Sequence, residues 1–246
     1  MVEKTRAYQV KEVYVTLQGE GYHVGRAAVF LRFSGCNLWS GRERDREKAI
    51  CQFCDTNFWG TDGPGGGTFE GPESLAVSVA RCWLERAGNQ HDTAATQGLS
   101  LATGLSCSEF CTTRPLVVCT GGEPLLQLDA PLIAALHEQG FEVAIETNGT
   151  RPLPPAEHDA QRVDWVCVSP KANAPLVLTA GDELKLVYPQ PTLGPESVEH
   201  LSFTHFYLQP MDGPAQQHHT RLAIEYIQRH PRWRLSLQTH KLLGIP

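Results

Sequence analysis

Cys36 is followed, after fourteen residues, by Cys51-Gln52-Phe53-Cys54, so one segment offers three thiolates. A closed structural zinc site wants four ligands, whereas three thiolates leave one iron of a cubane [4Fe-4S] cluster without a protein ligand. That open iron is a place for chemistry. S-adenosylmethionine can chelate it through its amino and carboxylate groups, which sets the sulfonium where one electron cleaves a carbon–sulfur bond. Phe53, just before the last thiolate, suits packing beside an adenine. A C-x-x-C pair alone also serves zinc and redox sites, so the cysteines need support from elsewhere in the chain.

That support comes from polar segments at the ends of apolar runs. Thr120-Gly121-Gly122-Glu123-Pro124 follows a β-rich run at 116–119. Its glycines let a backbone come close to a ligand, and Glu123 offers an acceptor for an ammonium. Glu146-Thr147-Asn148, Ser169-Pro170-Lys171 and Gln209-Pro210-Met211-Asp212 follow later runs in the same way. In parallel β/α folds the C-terminal strand ends share one face and build the site there, so these segments and Cys36 are expected to converge.

The elements that must position them read as short strands alternating with helices. Strands are predicted at 13–17, 28–33, 116–119, 142–145, 165–168, 184–187, 205–208 and 234–237, and helices at 73–87, 129–139 and 214–229. This order implies right-handed crossovers and a largely parallel sheet or barrel. Segment 37–50 is charged and reads as a solvated loop or short helix. Segment 88–114, rich in Thr, Ser, Ala and Gly, is too long for an ordinary connection and reads as an insertion. Its Cys107 and Cys111 form an incomplete metal site. Cys82, Cys119 and Cys167 fall within helix or strand patterns and read as core.

At 246 residues the chain suits one large domain or two small ones. Its 21 Lys plus Arg against 27 Asp plus Glu give a net charge of -6, which argues against a nucleic-acid surface and favours a small-molecule partner. No apolar stretch approaches the roughly 18 to 20 residues of a membrane span, and the first residues are polar instead of signal-like. A cytoplasmic setting with reduced thiols follows as the expectation.

These residues together resemble the radical S-adenosylmethionine superfamily. More closely, Leu17-Gln18-Gly19-Glu20-Gly21, Arg32-Phe33-Ser34-Gly35-Cys36-Asn37-Leu38, Cys54-Asp55-Thr56 and His240-Lys241-Leu242-Leu243-Gly244-Ile245-Pro246 resemble the 7-carboxy-7-deazaguanine synthases. The likeness spans the chain outside 88–114, although the gap between Cys36 and Cys51 exceeds the commonest superfamily spacing. Loop-closure entropy grows slowly with length, so the longer loop can still reach a cluster. The resemblance implies a single domain over 1–246 built as a partial (β/α) barrel. It also implies the ring contraction of 6-carboxy-5,6,7,8-tetrahydropterin to 7-carboxy-7-deazaguanine with loss of ammonia, on the route to queuosine. Hydrogen abstraction by a 5'-deoxyadenosyl radical and its later return would make S-adenosylmethionine a cofactor. A [4Fe-4S] cluster, Mg2+, a reducing electron donor such as flavodoxin and a homodimer complete what the likeness implies.

Under this reading Cys36, Cys51 and Cys54 hold the cluster and Thr56 ligates Mg2+, a hard cation that takes oxygen ligands. Phe53, Cys54, Asp55, Gly122, Glu123, Ser169, Pro170, Lys171, Gln209, Pro210, Met211 and Asp212 fall to the cofactor. Leu17, Gln18, Gly19, Glu20, Arg32, Thr120, His240 and Pro246 fall to the substrate, with Arg32 suited to gripping a carboxylate. The bland counterpart for Glu20 and Arg32 is a salt bridge between the two. Leu242, Leu243 and Ile245 are expected to pin the tail by burial, leaving the Pro246 carboxylate to accept from a pterin edge. Two other activities share parts of the pattern. An activator of glycyl-radical enzymes would add a protein-binding surface, and a zinc-binding protein would need a fourth ligand.

Overall fold

The computed structural model describes residues 7–88 and 114–246. The strands are β1 (Ala7–Leu17), β2 (Ala27–Phe33), β3 (Gly67–Glu70), β4 (Leu116–Gly121), β5 (Glu142–Thr147), β6 (Trp165–Val168), β7 (Ala180–Tyr188), β8 (Ser202–Pro210) and β9 (Trp233–Leu235). The helices are α1 (Pro72–Gly88), α2 (Ala130–Glu138), α3 (Gln216–Arg229) and α4 (Thr239–Leu243). All nine strands join one α/β sheet in the order β3-β1-β2-β4-β5-β6-β7-β8-β9. From β2 onward every pairing is parallel, whereas β1 runs antiparallel to both of its neighbours, so the sheet is mixed. Its outermost strands, β3 and β9, do not pair with each other.

Alternation along each strand divides the sheet into two faces. Val29, Leu31 and Phe33 of β2, Val117 and Cys119 of β4, Val143 and Ile145 of β5, Leu184 and Leu186 of β7 and Phe206 and Leu208 of β8 point to one side. There they build the main core with Leu75 and Val79 of α1, Leu132 and Leu136 of α2 and Ala223 and Tyr226 of α3. The other face starts apolar, where Ala28, Phe30, Leu116, Val118 and Ala144 cluster. Toward the C-terminal strand ends it turns polar, through Arg32, Thr120, Glu146, Lys185 and Gln209. Strands β2, β4, β5, β7 and β8 therefore each hand a polar side chain to one shared cavity.

Strand β1 begins six residues before the predicted start at 13. Its register shifts between Val10 and Glu12, and this bulge changes which parity faces the core. Tyr8 and Val10 precede it and Val13 and Val15 follow it, all on the core side. Glu12, Tyr14 and Thr16 are thereby turned to the cavity. A two-residue period read straight through this segment breaks at the bulge. Strand β3 and helix α4 were not predicted, since four residues and five residues are too short to show a period.

Segment 37–50 holds a short helix, one of its two readings, and is partly buried. A 3₁₀ helix at Glu43–Lys48 lies within it, while Leu38 and Trp39 are buried and Trp39 meets Phe58 edge-on, with ring centroids 5.5 Å apart. Of the expected insertion, positions 89–113, including Cys107 and Cys111, lie outside the described residues. Among the described residues no helix is long and apolar enough to cross a membrane.

Candidate active site

A cavity of about 380 Å³ opens at the C-terminal strand ends. Cys36, Cys51 and Cys54 all line it as free thiols. Burial pushes the Cys36 thiol up, opposed by backbone N–H groups of Leu38 and Trp39, with Leu38 N 3.4 Å from Cys36 Sγ. The Cys51 thiol donates to Cys54, which lowers Cys54 to about 6 and raises its partner. Arg46 braces this turn: its Nη1 donates to the carbonyl oxygens of Gln52 (2.8 Å) and Cys54 (3.0 Å), and its guanidinium lies 4.2 Å over the Trp39 ring. Asn148 Nδ2 donates to Asn37 Oδ1, which ties the Cys36 end to the end of β5.

The glycines of the GGEP turn make room for the chain itself. A Cβ on Gly122 would lie 2.2 Å from Gly35 O and 2.7 Å from Cys36 Cβ, and one on Gly121 would lie 2.5 Å from Phe33 O. Glu123 is fully buried and does not line the cavity. Its carboxylate accepts from Leu125 N (2.9 Å), Thr147 Oγ1 (2.7 Å) and Asn148 N (2.8 Å), and burial still leaves its carboxyl above the usual range. The expected acceptor for an ammonium is thus a strut that joins the ends of β4 and β5. What this turn turns toward the cavity is Thr120, Gly121 and Gly122.

Two lysines behave differently. Lys171 Nζ donates to Ser169 O (2.6 Å) and Ser169 Oγ (2.7 Å) and forms no close ion pair with a carboxylate among the described residues, Glu123 acting on it only from farther off. Burial lowers its pKa, and the facing Cys51 and Cys54 oppose that shift. Lys185, on the cavity floor, donates to Glu20 Oε2 (2.6 Å) and Glu146 Oε1 (3.2 Å). Burial pushes Glu20 up, but Lys185, Gln238 and His240 together outweigh it and hold the carboxyl below its ordinary value. Gln18 Nε2 donates to Glu146 Oε1 at 3.0 Å.

The salt bridge between Glu20 and Arg32 considered above does not form, because Glu20 is taken by Lys185. Arg32 donates instead to Glu12 Oε1 (2.7 Å) and Tyr14 Oη (2.9 Å), the residues that the β1 bulge turns inward.

Helix α4 closes one side. Thr239 N and Oγ1 donate to Gly19 O, and the His240 ring packs so closely on Gly19 that a Cβ there would stand 2.2 Å from its Nδ1. Gln238 Nε2 donates to Glu20 Oε1 and Asp55 Oδ2, and Lys241 Nζ bridges Asp55 and Asp212. Burial raises Asp55, yet the bonds from Lys241 and Gln238 prevail and its carboxyl titrates below the usual range. The expectation that leucines pin this segment is corrected: Leu242 and Leu243 are 74% and 63% exposed. Polar bonds hold it instead, including one from Thr16 Oγ1 to Pro246 O at 2.8 Å.

No family model matches the chain. It is 54% identical over 240 residues to the 7-carboxy-7-deazaguanine synthase of Bordetella pertussis, covering 98% of this chain and 100% of that protein. The synthase of the same name from Caulobacter vibrioides is 54% identical, over 97% of this chain and 99% of that one. The chain belongs to the 7-carboxy-7-deazaguanine synthase family. The crystal structure of QueE from Escherichia coli superposes with a TM-score of 0.57 at 26% identity, covering 94% of this chain and 93% of that chain.

For this synthase chain, the cavity gathers nearly every residue that the sequence nominated. Leu17, Gln18, Gly19, Glu20, Arg32, Thr120, Gly122, Phe53, Asp55, Thr56, Ser169, Lys171, Gln209, Pro210, Asp212, His240 and Pro246 line it beside the cysteines. Glu123, Pro170 and Met211 do not. Cys119 is in the core as read, whereas Cys167, also buried, lines the cavity wall. Sequence reasoning missed Lys185 and the Glu12–Tyr14 pair, and it set Gln238 and Lys241 in a strand-end segment without giving either a role. Lys185 left one trace, a lysine flanked by leucines in a strand otherwise fit for burial.

Proposed function

We infer that this chain is a radical S-adenosylmethionine lyase that makes 7-carboxy-7-deazaguanine for queuosine by ring contraction of 6-carboxy-5,6,7,8-tetrahydropterin, with loss of ammonia. The observation that carries the reading is the convergence of three free thiols and a set of polar strand ends on one cavity, in a chain of this family. A mononuclear zinc reading is poorer: among the described residues no three His, Cys, Asp or Glu side chains are placed to hold one metal ion. A cubane spreads three thiolates over three irons and asks for no such single point.

The donor set fits a [4Fe-4S] cluster. Cys36, Cys51 and Cys54 would hold it, backbone N–H groups at Leu38 and Trp39 already point at the Cys36 sulfur, and Lys171 presents to the other two an ammonium in no close ion pair. Bound there with S-adenosylmethionine, the cluster supplies an electron for carbon–sulfur cleavage and so a radical able to take hydrogen from the substrate. Phe53, Gly122, Ser169, Gln209, Pro210 and Asp212 frame the space for the cofactor, beside backbone fixed where Pro170 O accepts from Gln190 Nε2 and Met211 N donates to Tyr188 O. Glu123 contributes by fixing Thr147 and Asn148.

Glu20, Gln18 and Glu146 offer acceptors and an amide to a heterocycle edge, while Arg32 and His240 offer donors to its carboxylate. Leu17, Gly19, Thr120 and Pro246 complete the walls. Thr56 brings one oxygen toward a Mg2+ that would take its remaining ligands from water and the substrate carboxylate. A homodimer fed by a flavodoxin-like reductant is the assembly we expect. Anaerobic incubation of reconstituted protein with S-adenosylmethionine, Mg2+, a reductant and the carboxytetrahydropterin tests the reading. Formation of 7-carboxy-7-deazaguanine, with S-adenosylmethionine recovered, supports it. Cleavage of S-adenosylmethionine with no deazaguanine would point to another radical substrate.

A further inference from the structure

The cavity floor holds a charge that neither the cysteine motif nor the strand ends explain. Lys185 sits on the inner face of β7, between Leu184 and Leu186 of the outer face, with its side chain 5% exposed. Its ammonium lies 2.6 Å from Glu20 Oε2 and 3.2 Å from Glu146 Oε1. Glu183 on its own strand and Cys167 on β6 also face it, and Lys171 stands farther off. One ammonium therefore meets two carboxylates that line the cavity, and the trio carries a net negative charge. Gln238 holds the other oxygen of Glu20, whereas Glu146 Oε2 accepts from no donor among the described residues.

An ionised carboxylate only accepts hydrogen bonds, but a protonated one also donates. Two carboxylates sharing a poorly solvated site tend to hold a proton between them unless a cation is present. The ammonium of Lys185 removes that option and fixes what the floor can recognise.

We propose that Lys185 is a specificity-setting positioning residue, which keeps Glu20 a pure acceptor beside Glu146 so that the floor takes a ring edge of N–H donors and rejects its oxo counterpart. The inference rests on the carboxypterin assignment above and adds what selects the ring edge. A pterin presents an amino group and a ring N–H there; a lumazine, with an oxo group in place of the amino group, sets a lone pair against a carboxylate. Sites built to hydrogen-bond a group reject analogues lacking it far more strongly than apolar pockets reject a methylene. A merely structural lysine would, on removal, weaken both ligands alike. Only a change in their ratio reports on acceptor identity.

The test uses cluster-reconstituted protein without reductant, titrated with 6-carboxypterin and 6-carboxylumazine and followed by ligand fluorescence. The wild type should favour the pterin by about 100-fold or more. Lys185→Met should cut that ratio by about tenfold or more, because the buried Glu20 carboxyl, left without its counter-ion, can then protonate and donate, and Lys185→Arg should restore most of it. An unchanged ratio in Lys185→Met overturns the proposal. So does a wild-type ratio near one, a result that stands even if the Met variant does not fold. Wild-type protein that binds neither ligand would instead remove the carboxypterin assignment, whereas tight pterin binding without discrimination leaves that assignment intact and removes only the role of Lys185.

Discussion

A Cβ built on Gly122 would stand 2.2 Å from the carbonyl oxygen of Gly35, one residue before Cys36. That oxygen is not free to retreat, because it accepts from Glu123 N at 2.9 Å. The GGEP turn and the cysteine loop are thus two halves of one packed backbone contact, and the glycine's role is clearance between them. Gly122→Ala should destabilise the chain by about 1–3 kcal/mol, as overpacking of a filled site does. At this chain length that is a fall in Tm of several degrees, and iron content after reconstitution should drop with it. A variant with wild-type Tm and full iron would show that the loop yields easily.

The cysteines divide by where their sulfurs point. Cys36→Ala, Cys51→Ala and Cys54→Ala should each lose most cluster iron and sulfide, since each removes a thiolate from the cavity wall. Cys119→Ala should keep the cluster while lowering Tm, because Cys119 is fully buried in the main core. Iron and sulfide analysis beside thermal melts separates the two classes. Full iron in Cys51→Ala, or zinc as its only metal, would contradict the assignment.

Much of this was legible in the sequence because strand ends and thiol spacing are local signals. The cysteine motif, GGEP and the SPK and QPMD segments could be placed on one face from the parallel β/α rule alone. What escaped depends on contacts distant in sequence. Arg46 looked like one charge among many in a polar loop, and only the folded chain sets it against the carbonyls of Gln52 and Cys54. Lys185 lay inside an apolar strand, and its partners come from positions 165 and 39 residues away. Arg32, expected at the substrate, lines the cavity, but its neighbours Glu12 and Tyr14 depend on a bulge that a two-residue period cannot show.

His137, in the last turn of α2, answers to pH away from the site. Its Nε2 lies 2.7 Å from Asp164 Oδ2 and its Nδ1 2.7 Å from Ala160 O, so the imidazolium satisfies an acceptor at each nitrogen. The bond to Asp164 raises its pKa above the usual 6.5, against a smaller opposing effect of burial. A raised histidine adds stability that is fully present below the unfolded value and fades as pH rises through the folded one. The stability gap between wild type and His137→Gln should be on the order of 1 kcal/mol near pH 6 and shrink toward pH 8.5. Urea melts across that range check it; a gap that widens with pH would reverse the sign.

Lys241 joins two segments of the site that have no other direct tie through their side chains among the bonds described. Its Nζ stands 2.6 Å from Asp55 Oδ2, in the turn between Cys54 and Thr56, and 2.6 Å from Asp212 Oδ2, just past the end of β8. The lysine side chain is about a third exposed, and such pairs contribute about 0–1 kcal/mol to folding, so Lys241→Met should barely move Tm. Its effect should fall on binding. Without the ammonium the two carboxylates face each other, since the charge on Asp55 already opposes ionisation of Asp212, and the Asp55 turn loses the tether that sets Thr56 and Cys54 against the β8 end. We expect the KM for S-adenosylmethionine to rise by about tenfold with a smaller change in kcat. Removing the repulsion with Asp212→Asn in the Lys241→Met background should not restore the affinity, because the tether is still missing. Full recovery in that double variant would make charge balance, and not positioning, the work of Lys241.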